Sequence, residues 1–129
     1  MFHIILDYYL VMHVMIDSNV DINNYQCIYF VGFNLNWRGH LYISFLEIDF
    51  LPPNINVEGD CHIIDCPQLK QLPPNFNVGG ELHLTGCRSL TDLPMDLKVG
   101  KSVYADETQI IEVRTPRPKG VYGMIHYEY

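Results

Sequence analysis

Positive charge is scarce in this chain of 129 residues, because eight Lys and Arg stand against fifteen Asp and Glu and leave a formal net charge of −7. The first 50 residues contain a single basic side chain, Arg38. A surface this acidic repels phosphate, so no direct nucleic-acid binding is expected. It is suited instead to a partner protein with a basic surface.

A long uninterrupted apolar run is also missing. The most apolar stretch is the opening MFHIILDYYLVMHVMI, and His3, Asp7 and His13 interrupt it. A membrane-spanning helix needs about 20 apolar residues, and an export signal needs a basic start. The four cysteines show no CxxC or other metal-type spacing, which favours reduced thiols. We therefore expect a cytoplasmic protein with no membrane segment.

What the chain does have is a repeat. NVEGDCHIIDCPQLKQLP at 56–73 is written again as NVGGELHLTGCRSLTDLP at 77–94, a shift of 21. Positions 34–43 match 54–63 with a shift of 20. One unit cannot bury its own apolar side, whereas stacked units form a continuous core. The shift of 21 also separates three Leu-Pro pairs and three valines, which are Leu51-Pro52, Leu72-Pro73, Leu93-Pro94, Val57, Val78 and Val99.

The repeat predicts a β-rich solenoid of about four to five turns, with a short parallel sheet and terminal caps. Within this single domain, residues 34–113 would form the solenoid and residues 114–129 a capping tail. The sequence leaves open whether the basic residues of that tail bind a partner or only cap the solenoid. Trp37 takes the position of Val57 and is expected in the core. Gly39, Gly59 and Gly80 precede the predicted strands and would supply a corner conformation that a Cβ disfavours.

Residues 1–33 are predicted to form an N-terminal cap with a first turn that begins with either a helix or a strand. In one alignment Val14 and Ile16 are the equivalents of Leu41 and Ile43. That alignment leaves an aromatic insertion around residues 23–33, which either caps the core or joins copies of the chain. The aromatic residues of this insertion are Tyr25, Tyr29, Phe30 and Phe33.

The frame L-x-L-x-x-N/C-x-x-L-x-x-L-P resembles leucine-rich repeats, most clearly over residues 51–113. Its LP-rich style resembles the repeat domains of bacterial effector ubiquitin ligases, without their catalytic segment. The pattern LP-x-N-x-x-V-G-G-x-L-x-L is closer to short leucine-rich-repeat proteins encoded by large tailed bacteriophages. This resemblance implies a binding role in the cytoplasm of a bacterial host, and it implies no catalytic residues.

Stacked strands lie about 4.8 Å apart, so equivalent positions form columns on the predicted concave face. Aromatic residues are enriched at protein interfaces, which makes this face a candidate partner site. The alternative is that these residues are merely tolerated by the solvent side of a sheet. The candidate residues are Tyr42, His62, His83 and Tyr104 in one column, preceded by His40, Asp60 and Glu81, and followed by Asp106.

Three functional hypotheses follow. The first is a non-catalytic protein-binding module, phage-encoded if the resemblance holds, that inhibits or redirects a host defence or nucleic-acid-handling protein. The second is a structural component that assembles with itself through a sheet edge or residues 23–33. The third is a small hydrolase or metal protein using His62, His83, Asp60 and Glu81, which is disfavoured because a flat sheet splays such ligands apart. We therefore expect no enzyme, no cofactor and no metal.

Cys66 and Cys87 occupy the N/C position of the frame. They are expected to be buried structural thiols that hydrogen-bond the backbone of the corner. A disulfide between the adjacent turns is the alternative, and a reducing compartment disfavours it.

Overall fold

The structure is a computed structural model that describes residues 20–22, 35–44, 49–51, 53–112 and 116–128. These residues form a parallel β-solenoid of about four turns, and no helix occurs among them. The predicted solenoid is therefore confirmed. In chain order the strands are β1 (Val20–Ile22), β2 (Leu35–Trp37), β3 (Leu41–Ser44), β4 (Ile55–Val57), β5 (Cys61–Ile64), β6 (Asn77–Val78), β7 (Leu82–His83), β8 (Lys98–Val99), β9 (Val103–Asp106), β10 (Gly120–Val121) and β11 (Ile125–Glu128).

The strands form two parallel sheets, of which the sequence predicted one. The first sheet has the order β1-β3-β5-β7-β9-β11 and contains the predicted L-x-L strands. The second has the order β10-β8-β6-β4-β2 and is built from the segments just before the corner glycines. These segments are so short that the alternation of apolar and polar residues cannot be recognised within a single repeat.

The predicted row of valines is present in the second sheet. Val57 lies opposite Val78, and Val78 lies opposite Val99. Trp37 continues the row at one end and Val121 at the other. All five side chains are buried, and the exposed fraction of Trp37 is 2%, so its predicted place in the core is confirmed.

The first sheet supplies the opposite wall of the core. Side chains alternate along a strand, and the inward positions of β3, β5, β7 and β9 are apolar and buried. They pack with the leucines of the Leu-Pro segments in one hydrophobic core. The buried residues of these two groups include Leu41, Ile43, Cys61, Ile63, Leu69, Leu72, Leu82, Leu84, Leu90, Leu93, Val103 and Ala105.

The tail adds a further turn. β10 pairs with β8 and β11 pairs with β9, both in parallel. The Arg117 guanidinium donates hydrogen bonds to the carbonyl of Val121, at 3.1 Å, and to that of Gly123. One of the tail's basic side chains is therefore used to hold the backbone of this last turn.

The register of β1 differs from the predicted alignment of the first turn. Val20 lies opposite Leu41 and Ile22 lies opposite Ile43, so the alignment of Val14 and Ile16 with these positions is wrong. Val14 and Ile16 match the frame together with Asn19 and Ile22, but apolar pairs with this spacing recur throughout the apolar N-terminal region. The cap over residues 1–33 and the aromatic insertion, apart from β1, lie outside the described residues.

Gly59 and Gly80 leave no room for a side chain, which corrects the prediction that they supply a special conformation. Gly59 and Gly80 do not have positive φ angles. A Cβ on Gly80 would instead collide with the carboxylate of Asp60 and the backbone of Gly59. Another corner does have left-handed backbone. Gly86 has a φ of 75° there, and its equivalents in the neighbouring turns, Asp65 and Glu107, share this conformation.

Candidate functional site

Five rings are stacked in a line along the outer side of the first sheet. The centroid distances are 4.7 Å between Tyr42 and His62, 4.3 Å between His62 and His83, and 4.5 Å between His83 and Tyr104. Tyr104 and His126 add a fourth contact at 4.5 Å. Neighbouring planes differ by 11° or less. We call Tyr42, His62, His83, Tyr104 and His126 the ring ladder.

The repeat produces this stacking directly. In each turn the ring follows the first inward residue of the strand, so it points away from the core. Parallel pairing in register places each ring beside its equivalent, as in the pairs of Tyr42 with His62 and of His62 with His83. Because the faces of the inner rings cover one another, their edges remain available to a partner. The edges carry hydroxyl and imidazole groups, which donate and accept hydrogen bonds.

His126 belongs to the ring ladder but was not among the predicted site residues. Its register partner is Tyr104. A signal for it exists in the sequence, since Gly123 stands before His126 in the same Gly-x-x-His spacing that joins Gly59 to His62 and Gly80 to His83. The prolines and basic residues of the tail break the apolar frame, and this break hides the spacing in the sequence.

The column before the ring ladder contributes to the architecture of the corner. The backbone N–H of Asp60 donates to His40 Nδ1 at 2.8 Å. The N–H of Glu81 donates to Asp60 Oδ1 at 2.8 Å, and that of Met124 donates to Ser102 Oγ at 3.2 Å. A side chain in one turn thus accepts the backbone N–H of the next turn, which fixes the turns in register.

His40 and Asp60 also approach each other as an apparent ion pair, with Nδ1 3.5 Å from Oδ2. The shorter contact decides the chemistry. A nitrogen that accepts an N–H at 2.8 Å carries no proton. In this contact His40 Nδ1 acts as an acceptor, so its 3.5 Å approach to Asp60 Oδ2 adds little to the junction.

Glu81 differs from the other members of this column because its carboxylate turns toward the ring ladder. Its Oε2 lies 3.0 Å from Nε2 of His83. The remaining predicted residue, Asp106, lies half-buried on the other side of the ring ladder, at the end of β9. The structure thus places all eight predicted residues on one side of the first sheet.

We call this side the ladder face, made of the ring ladder and the two columns that flank it. No Lys or Arg occurs in it among the described residues, while Asp60, Glu81 and Asp106 supply carboxylates. The pKa of the His62 imidazole is lowered, first by burial and then by the neighbouring His83. The flanking columns are His40, Asp60, Glu81, Ser102 and Met124 on one side and Ser44, Ile64, Thr85 and Asp106 on the other.

The thiols of the N/C position are inside the core. Cys87 Sγ donates to the carbonyl of Ile63 at 3.3 Å, and Cys66 Sγ donates to that of Ile64 at 3.6 Å. Both cysteines are buried and unbridged. Thr108 takes the same position one turn later and donates to the carbonyl of Ala105 at 2.9 Å. The predicted structural role of these thiols is confirmed.

Other features of the described residues offer little chemistry. No group of three or more His, Cys, Asp and Glu among them is arranged to hold a metal ion. A shallow groove of about 730 Å³ lies along the Leu-Pro side of the solenoid, away from the ladder face, and residues such as Lys70, Thr91 and Asp96 line it. A search of the described residues for a helix long and apolar enough to cross a membrane finds none.

Comparison of the chain with protein families, with curated proteins and with solved structures finds no match.

Proposed function

We propose that this protein is a non-catalytic binding module whose ladder face binds a basic surface of a partner protein. The observation that carries the proposal is the composition of that face. It is a line of five stacked rings flanked by carboxylates, with no Lys or Arg among its described residues.

The ring edges suit such a partner because hydroxyl groups and neutral imidazoles accept hydrogen bonds from Lys and Arg, which have donors only. Asp60, Glu81 and Asp106 add charge complementarity, which speeds encounter and excludes acidic competitors. The rings are also held rigidly by their neighbours, so little side-chain entropy is lost on binding.

The leucine-rich-repeat style of the sequence and its likeness to phage-encoded proteins support a more specific version. In that version the protein acts in a bacterial cytoplasm, where it covers a basic site of a host defence or nucleic-acid-handling protein. Occupation of a basic site by an acidic surface would inhibit or redirect the host protein without any catalytic step.

The test is a crosslinking experiment with matched variants. Ile64→Lys with Thr85→Lys adds two positive charges to the ladder face without removing a ring. Gln68→Lys with Gln71→Lys adds the same charge at exposed positions elsewhere. We expect a stoichiometric partner with a basic surface to crosslink to the wild type and to the control, and not to the ladder-face variant. Equal capture by all three proteins, or a partner retained fully in molar salt, would contradict the proposal.

A second candidate function is self-assembly, which one observation favours. Among the described residues β11 pairs on one side only, with β9, so it is an edge strand of the first sheet. Unpaired backbone groups at an edge can pair with another chain. Light scattering over a wide range of protein concentrations decides this, because a monomer at every concentration would rule out assembly through this edge.

A further inference from the structure

We propose that the ring ladder is a pH gate on the ladder face, which releases a bound Arg- or Lys-rich segment when its imidazoles become protonated. This inference rests on the proposed function, since it concerns the same surface and the same class of partner.

The first argument is the number and position of the histidines. Three of the five ladder rings are imidazoles, and they lie among the three carboxylates of Asp60, Glu81 and Asp106. Histidine is the side chain that ordinarily changes charge between about pH 5 and 8. Protonation of His62, His83 and His126 would add positive charge beside these carboxylates and weaken the attraction for a basic partner.

The second argument is the contact between Glu81 and His83. With Oε2 and Nε2 3.0 Å apart, a protonated His83 donates to this carboxylate with full charge assistance. The carboxylate then has an internal cation as its partner, and it is less available to a Lys or Arg from outside. Acidification therefore removes one of the anchoring groups as well as changing the net charge.

The third argument is the stacking itself, which spreads protonation of the ladder imidazoles over a wider pH range. His62 and His83 are 4.3 Å apart, so a charge on one opposes a charge on the other. Burial and then the second imidazole lower the pKa of His62, and the carboxylates of Asp60 and Glu81 oppose this shift. The groups around this pair are Tyr42 and Tyr104 in the adjacent strands, Asp60 and Glu81 at the preceding corners, and His40 one turn away. Asp106, His126 and the position of Glu128, in register with Asp106, lie beyond.

The experiment is calorimetric titration with an oligoarginine peptide, whose guanidinium groups stay charged throughout. We expect the dissociation constant of the wild type to rise roughly tenfold between about pH 7.5 and about pH 5.5. A tenfold rise corresponds to a decrease of about one unit in the pKa of a ladder imidazole when the peptide binds. His62→Tyr with His83→Tyr keeps five rings in the ladder and removes the two central titrating groups. In this variant the dissociation constants at the two pH values should be nearly equal, whatever its affinity at neutral pH is. An Asp92→Asn control, away from the ladder face, should behave like the wild type.

Two failures are distinguishable. No binding by the wild type at neutral pH would overturn the proposed function and the gate together. Binding that is equally tight at both pH values, or pH dependence retained by the tyrosine variant, would overturn the gate alone. As an independent readout, NMR titration should show that the peptide lowers the pKa of the ladder imidazoles, because linkage is reciprocal. Unchanged imidazole titration in the presence of bound peptide would also overturn the gate.

Discussion

The imidazoles of His62 and His83 lie in adjacent turns with their planes 9° apart and their centroids separated by 4.3 Å. Each ring therefore covers one face of the other and shares its electrostatic environment. Burial, and next the proximity of His83, lower the pKa of His62. Stability should depend on pH as a consequence.

Acidification should destabilise the fold through His62. Its folded-state pKa lies below the ordinary value, so the unfolded chain binds a proton at a higher pH than the folded one does. The stability contributed by neutral His62 is then present above the unfolded pKa of about 6.5 and is lost as pH falls toward the folded pKa. We expect the midpoint of urea unfolding to fall over this range in the wild type, and to fall less in His62→Tyr, which keeps the ring. An equal decrease in both proteins would contradict this assignment.

Lys98→Asn should stabilise the protein by about 1 kcal/mol. In the second sheet the Asn77 amide donates to Asn56 Oδ1 at 2.5 Å, and the Asn56 amide donates to Asn36 Oδ1 at 3.1 Å. The Asn77 Oδ1 atom is buried without a hydrogen-bond partner, and Lys98 lies opposite it. An asparagine there would extend the row and supply the missing donor. Chemical denaturation of Lys98→Asn and of Lys98→Ala measures this, because an equal gain in both would exclude the amide bond as its source.

Gly80→Ala should destabilise the fold by about 2 kcal/mol, because the new methyl group would collide with Asp60 and with the backbone of Gly59. The matched control is Lys101→Ala, at the equivalent position one turn later, where a Cβ is already accommodated. We expect the control to change the free energy of unfolding by less than about 0.5 kcal/mol. Thermal unfolding of both variants gives the comparison, and equal losses would show that the corner is sensitive for another reason.

The core thiols should resist alkylation until the protein unfolds. Burial raises the pKa of the Cys61 thiol. The hydrogen bond with Cys66 and then burial raise the pKa of Cys87. Since the thiolate is the reactive form, both groups should be inert in the native state. In a Cys27→Ser background, mass spectrometry after iodoacetamide treatment should show labelling of Cys61, Cys66 and Cys87 only with denaturant. Rapid native labelling of any of them would contradict the buried positions.

The first sheet and its columns could be predicted because the frame repeats without insertion between Cys61 and Val103. Two successive shifts of equal length determine which residues of adjacent turns lie side by side. The alternation around His62 and His83 shows which side chains point outward. His126 was missed because its turn replaces the Leu-Pro segment with a basic, proline-rich one, so the apolar frame gave no match.

The second sheet could not be predicted from the same pattern. Its strands are as short as Asn77–Val78, and their hydrogen bonds depend on a neighbouring turn that no single copy reveals. The hydrogen-bonding roles of Asp60 and Ser102 were hidden for a similar reason. A polar residue at a corner is compatible with exposure to solvent, and only the position of the next turn's N–H shows what it accepts.

The backbone N–H groups accepted by His40, Asp60 and Ser102 connect three of the turns, each to its immediate successor. Modular growth is the consequence. Duplication or loss of one whole repeat would leave every surviving junction chemically intact. It would also lengthen or shorten the ladder face by one ring, without the need for a new core.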